Sequence, residues 1–266
     1  MKKNAIVVAW GNQKGGAGKS TVSRLIATHL WYKCPGYKVV VWDCDNPQYT
    51  NARLREVDMK ILDLLADSGR QGRLKSNYLS HVRQYPLYPI KEMNVERIER
   101  DQVRDREEYD ILFIDLPGKI DSAELAKVLP IIDYLFIPLD YDYGTVDSTV
   151  RYLKVLQGFG NQFHFPFVNG IRLFFNKIKK TSLESSAIPV VNDIMQQNLG
   201  AIFMEQVVLL RDNIKDDTLS TIAPLHDNSK VDNSHFYTFF DEFCHIIDVR
   251  PEFHELPKNN THEQDL

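Results

Sequence analysis

The sequence predicts an α/β fold, a mostly parallel, doubly wound sheet with helices on both faces, and three observations predict it. Apolar runs too short for helices recur at Ala5–Trp10, Lys38–Asp43, Tyr109–Asp115, Tyr134–Pro138 and Ile171–Asn176, as buried parallel strands do. Stretches with apolar residues at helical spacing lie between them, and that alternation builds a parallel sheet through crossover connections. A glycine-rich turn, Gly11-Asn-Gln-Lys-Gly-Gly-Ala-Gly-Lys-Ser-Thr21, joins the first run to the first helix. Strand, glycine turn and helix together are the setting in which a phosphate-binding loop works.

Each residue type in that turn has a physical reason. Gly15, Gly16 and Gly18, with Ala17 between them, let the backbone curl until successive N–H groups face one anion. The helix that begins around Thr21 adds the partial positive charge of its N-terminus. Lys19 can then reach outer phosphates, and the Ser20 hydroxyl can ligate Mg²⁺. The ordinary loop pattern needs glycine at position 13, where this chain has Gln13, followed by Lys14.

The form Lys14-Gly-Gly-Ala-Gly-Lys19-Ser20 is similar to the deviant Walker A of the ParA/MinD-type ATPases, and the chain resembles that family. The resemblance implies ATP and Mg²⁺ as cofactors and an ATP-sandwich homodimer. It also implies a signature role for Lys14, which crosses that dimer to touch the phosphates of the other subunit.

The second strand ends in Asp43-Cys-Asp45-Asn46-Pro47-Gln48. Carboxylates just past the C-terminal end of a parallel strand lie where α/β sheets place ligands. By resemblance this is the first switch, with Asp45 positioning the attacking water and Asp43 supporting the Mg²⁺ shell. The family follows the second aspartate directly with Pro-Gln, and here Asn46 intervenes, so the local geometry departs from the family's pattern. Asn51–Leu65 reads as a helix closed by Asp67-Ser68-Gly69. From Arg70 to Tyr88, Arg70, Arg73, Lys75 and Arg83 alternate with Tyr78, Tyr85 and Tyr88. That mixture suits a nucleic-acid surface, and it suits a solvated loop better.

Lys91–Glu108 reads as a charged helix on an outer face. Tyr109-Asp-Ile-Leu-Phe-Ile-Asp115 has the Walker B form, in which Asp115 holds a Mg²⁺-bound water. Pro117-Gly118 then makes a hinge, the family's second switch. Helices are expected at Ser122–Leu129, Thr145–Leu156 and Ser185–Leu199, a last strand at Glu205–Leu210, and an amphipathic helix at Phe236–Ile247. The strand Ile171–Asn176 delivers Asn176 to the ligand edge, where the family uses an asparagine to read adenine. A guanine site of the Asn-Lys-x-Asp type needs an acceptor at position 179, and Lys179 cannot accept.

The 266 residues fit one domain over residues 1–250, followed by a polar tail, residues 251–266, expected to be disordered. No apolar run reaches the length of a membrane span. Met1-Lys-Lys-Asn4 leads straight into the first strand, so no signal peptide is expected. Cys34, Cys44 and Cys244 have neither metal-ligand spacing nor an even count, which points to a cytoplasmic protein. A net charge of −4 argues against bulk nucleic-acid binding without excluding a local patch. Lys177, Lys179 and Lys180, with Arg211 and Lys215, are candidates for a DNA face in a closed dimer, or ordinary surface charge.

The family resemblance implies slow ATP hydrolysis, an activating partner protein, and a task in DNA segregation. Asp115-Leu-Pro-Gly118 and Leu139-Asp-Tyr-Asp142 look closest to ParA-like ATPases of plasmids and conjugative elements. A MinD-like membrane-cycling protein would need a basic amphipathic tail, which is not visible after Arg250. An iron–sulfur carrier would need a cysteine pair at the dimer interface. A dethiobiotin-synthetase-like ligase would have no use for Lys14. A tyrosine kinase of this superfamily would end in clustered tyrosines, whereas the last tyrosine is Tyr237. A scaffold that binds ATP without turnover is the non-catalytic alternative.

Overall fold

The apolar runs form a single parallel sheet in the computed structural model, which describes residues 5–67, 87–118, 122–140, 142–163, 170–182, 187–199, 202–209, 220–222 and 234–251. The strands are β1 Ile6–Trp10, β2 Val39–Asp43, β3 Ile90–Glu92, β4 Ile111–Asp115, β5 Tyr134–Leu139, β6 Ile171–Ile178 and β7 Val208–Leu209. Their spatial order is β3-β2-β4-β1-β5-β6-β7. The helices are α1 Lys19–Lys33, α2 Thr50–Asp67, α3 Val95–Glu108, α4 Ser122–Val128, α5 Tyr143–Phe163, α6 Ala187–Leu199 and α7 Ser234–Ile246. The doubly wound prediction holds.

Alternate residues of each strand enter opposite cores, which is why the runs are apolar throughout. Val8 and Trp10 of β1 pack with Leu25 and Ile26 of α1 and with Phe239 and Phe243 of α7. Val7 and Ala9 face the other way, into the core that also holds Ile98 of α3, Leu125 of α4, Leu153 of α5 and Met195 of α6. The chain leaving β1 runs through α1 to β2, while the chain leaving β4 passes to β5 on the far side of β1. The carboxyl ends of β1 and β4 therefore border a topological switch point, where such sheets bind ligands.

Three expected elements change. Lys91 and Glu92 belong to strand β3, paired with β2 in the register Trp42↔Lys91. The helix starts only after Asn94, whose side chain caps it by accepting the Arg97 N–H at 2.9 Å. The last strand begins only at Val208, because the N–H groups of Glu205 and Gln206 donate to the Glu242 carboxylate of α7 at 2.7 and 2.8 Å. Helix α5 outruns its expected Thr145–Leu156 at both ends. The basic-aromatic stretch from Arg70 to Tyr85 lies outside the described residues, as do Arg211, Lys215 and the tail beyond Pro251.

A peg that includes Ser220–Ile222 joins α1 to α2. From α1, Arg24 Nε donates to Ser220 Oγ at 2.8 Å and the Tyr32 hydroxyl to the Ile222 carbonyl at 2.8 Å. From α2, Asp58 accepts both the N–H and the hydroxyl of Thr221, at 3.0 and 2.7 Å. Arg55 donates to the Thr221 carbonyl at 2.9 Å.

Candidate functional site

The phosphate loop runs from Gly11 to Gly18 between β1 and α1. Gly16 and Gly18 take left-handed backbone angles, φ 77° and φ 90°, which turn the peptide N–H groups without the Cβ penalty other residues meet. Gly18 also has no room for a side chain, since a Cβ there would sit 2.3 Å from Asn176 Nδ2. Helix α1 starts at Lys19 with no acidic residue in its first turn and no side-chain cap, so its N-terminus keeps its partial positive charge.

A cleft of about 590 Å³ opens over this loop. Gly15, Gly16, Lys19, Ser20 and Thr21 form its floor. Asp45, Gln48, Pro117 and Gly118 line it on the β2–β4 side, and Lys177 lines it at the end of β6. Lys19 is 8% exposed. Its burial lowers the ammonium pKa, and the charges of Asp115 and Asp45 work against that.

Asp43 and Asp115 are register partners on neighbouring strands, and both are fully buried. Asp43 accepts three backbone N–H groups, from Asp45 at 3.3 Å, Asn51 at 2.8 Å and Ala52 at 3.0 Å. Burial raises its pKa, opposed by those bonds. Asp115 accepts Asn51 Nδ2 at 2.7 Å. Burial pushes its carboxyl up to about 7, with the Asp43 charge adding to the rise and the Ser20 hydroxyl and Lys19 opposing it. Asp45 is half-buried at the cleft wall, and Thr50 Oγ1 donates to it at 3.4 Å.

On the opposite side the loop is held by its backbone. Asn12, 2% exposed, donates to the Pro138 carbonyl at 2.7 Å and accepts the Lys14 N–H at 2.9 Å. Asn176 Nδ2 donates to the Ala17 carbonyl at 2.7 Å, and its Oδ1 accepts the Lys177 N–H at 2.9 Å. The Lys177 ammonium donates to the Gly16 carbonyl, and Lys177 itself has φ 60°. Lys14 turns away from the cleft: its ammonium pairs with Asp142 Oδ2 at 3.0 Å and donates to Thr145 Oγ1. That pairing holds the Asp142 carboxyl below the usual carboxylate range.

The family model described as ATPase MipZ matches residues 5–154 of the chain, the span that carries the loop and all three carboxylates. The chain belongs to this family of ParA/MinD-like ATPases.

Solved structures with the same fold agree with that membership. The MinD cell division protein of Aquifex aeolicus superposes with a TM-score of 0.62 at 19% identity, over 92% of this chain and 98% of that one. An aspartate-to-alanine variant of Cyanothece McdA in its ATP complex gives a TM-score of 0.58 at 13% identity, over 93% and 98%. A Borrelia burgdorferi B31 protein named for plasmid partition, bound to AMPPNP, gives 0.56 at 16% identity, over 91% and 98%. An uncharacterized protein of Methanocaldococcus jannaschii is 25% identical over 199 residues, 66% of this chain and 75% of its own.

In this MipZ-family chain the loop residues, Asp45 and the Asp43–Asp115 pair come together as the sequence arranges them. Lys177, Lys179 and Lys180 are all exposed at the end of β6, and the Lys177 ammonium also donates to the Gly16 carbonyl of the phosphate loop. Sequence reasoning missed Asn12, Asn51, Asp142, Thr145 and the loop role of Lys177. For Asn51 a signal existed: it stands eight residues after Asp43, at the start of a helix whose N-terminus a carboxylate favours.

Proposed function

We propose that this chain is an ATP-dependent, dimerising switch ATPase of the ParA type, with slow hydrolysis coupled to DNA or plasmid partitioning, including maintenance of a conjugative element. One observation carries this reading: the two lysines of the loop face opposite ways. Lys19 lines the cleft beside the carboxylates, while Lys14 does not line it and holds its ammonium on Asp142 and Thr145. A lysine turned away from its own cleft supports the reading in which, once released from Asp142, it serves another subunit's, as the signature lysine of the family does, and there it would act by charge as an arginine finger acts.

The residues divide the work. The Gly15–Gly18 N–H groups and Lys19 bind the phosphates. Asp115 and the Ser20 hydroxyl fit Mg²⁺, since Asp115 Oδ1 is buried without a hydrogen-bond partner among the described residues and the available donors are oxygens. Among the described residues no group of three His, Cys, Asp or Glu side chains forms a metal cage, which suits an ion that keeps waters and phosphate oxygens as ligands. When bound, Mg²⁺ neutralises charge on the outer phosphates. Asp43 supports the site from behind, and Asp45, at the cleft wall, orients the attacking water.

Asn176 keeps one amide hydrogen and one lone pair beyond its bonds to Ala17 and Lys177, enough to read adenine. Turnover is weak until a partner protein engages the dimer. No described helix is long and apolar enough to cross a membrane. A MinD-like positioning role is the alternative, and the cargo decides between them.

The test uses Asp45→Ala, which removes the water-orienting carboxylate and leaves the phosphate cradle. Size-exclusion chromatography with ATP should show a persistent dimer, and that dimer should co-sediment with duplex DNA in a salt-dependent way. A monomeric variant with normal turnover would move the catalytic role off Asp45. A stable ATP dimer that ignores DNA at every salt concentration would favour the positioning role.

A further inference from the structure

The first turn of α2 touches all three carboxylates of the site. Thr50 Oγ1 donates to Asp45, the Asn51 and Ala52 N–H groups donate to Asp43, and Asn51 Nδ2 donates to Asp115 Oδ2 at 2.7 Å. The last of these differs in kind from the others. Asn51 and Asp115 both have 0% exposure, and the bond between them spans 64 positions of sequence. The amide donates through Nδ2 and the carboxylate oxygen accepts.

That arrangement leaves Oδ1 of Asn51 and Oδ1 of Asp115 buried without a hydrogen-bond partner among the described residues. Native interiors seldom leave such acceptors unpaired unless something outside the protein atoms donates to them. Water held by a cation is a strong donor of that kind. Ser20 lies beside the same carboxylate, its hydroxyl opposing the rise of the Asp115 pKa, and lines the cleft floor. Two orphaned acceptors, one on each member of a bonded pair next to a cation-binding hydroxyl, are more than a buried structural bond requires.

We propose that Asn51 is a positioning residue of the Mg²⁺ site, fixing the Asp115 carboxylate so that its Oδ1 meets the metal's water shell and tying occupancy of that shell to the first turn of α2. This rests on the nucleotide-binding reading above. The chemistry is that of an outer-shell partner, which orients a carboxylate without touching substrate itself. The sequence places Asn51 near Asp43 but not against Asp115, because that contact depends on β4 lying beside β2.

The protein carrying Asn51→Ala, and separately Asn51→Leu, which keeps the branched outline of the side chain without an amide, tests the idea. Each is compared with the unaltered chain for binding of a fluorescent ATP analogue, first in EDTA and then along a Mg²⁺ titration. Affinity in EDTA should stay within about twofold in both variants, while the half-saturating Mg²⁺ concentration rises by roughly tenfold or more. An equal loss in EDTA and in Mg²⁺ would make Asn51 a merely structural residue and overturn the proposal. So would an unchanged or lowered Mg²⁺ midpoint in either folded variant. Failure of the unaltered chain to bind the analogue at any Mg²⁺ concentration overturns the nucleotide reading itself, and it is seen without any variant.

Discussion

The two sides of the phosphate loop are built from different chemistry. Toward β2 and β4 the loop meets acids: Asp45 at the cleft wall, with Asp43 and Asp115 buried behind it. Toward β5 and β6 it meets Asn12, Asn176 and Lys177, whose bonds go to backbone atoms of Gly16, Ala17, Lys14 and Pro138. The acid side sets charge against the cleft, and the amide side holds the loop that borders it. Lys19 belongs to the first side and Lys14 to the second, although one short turn separates them. A phosphate loop is thus only half specified by its own residues, the other half being the strand ends that clamp its carbonyls.

The sharpest way to break this comparison is to remove the cation that faces the acids. Lys19→Ala should weaken ATP binding by about two orders of magnitude or more in calorimetry, and also leave Asp115 and Asp45 without their counter-charge. Retained affinity would mean that the acid side is not the phosphate side.

Gly18→Ala attacks the clamp. Its Cβ would lie 2.3 Å from Asn176 Nδ2 at a φ of 90°, so the loop and the end of β6 must separate. The expected cost is about 1–3 kcal/mol in stability, read by thermal melting, with a loss of ATP affinity. Pairing it with Asn176→Ala should return part of the stability, and no return would show that backbone strain alone is responsible.

Lys177→Met keeps the stem and removes the ammonium from the Gly16 carbonyl. A loss of about fivefold is expected, equal for ATP and inorganic triphosphate, because the residue acts on the loop. A loss confined to ATP would place Lys177 against the nucleoside instead. The smallest effect belongs to Asp142→Ala. Its pair with Lys14 is exposed, so freeing the lysine should raise the ATP-dependent dimer fraction only about two- to fivefold in light scattering, with monomer nucleotide affinity unchanged.

What is legible in the sequence follows the same division. Glycine spacing, an apolar run ending in aspartate, and a helix start are local patterns, so the loop, Asp45, Asp115 and the wound sheet can be read directly. The clamp cannot. Lys177 lies 161 positions from Gly16 in the chain, and nothing near it says that β6 will end over the loop. Strand β3 reads as helix in the sequence because Lys91 and Glu92 are strong helix formers; pairing with Trp42 and Asp43 outweighs that preference. The shortened last strand depends on Glu242, a residue of α7 that no pattern around Glu205 reveals.

The peg at Ser220–Ile222 bears on how the chain is made. Asp43, Asp45, Asp115 and Lys19 all precede the clamp residues in the chain and so in the order of synthesis. The clamp at Asn176 and Lys177 follows later, and the peg that locks α1 to α2 later still. Vectorial synthesis therefore displays the phosphate loop well before the chain owns the parts that hold it shut. For that interval the nascent chain carries the loop without the β6 side chains that hold its carbonyls.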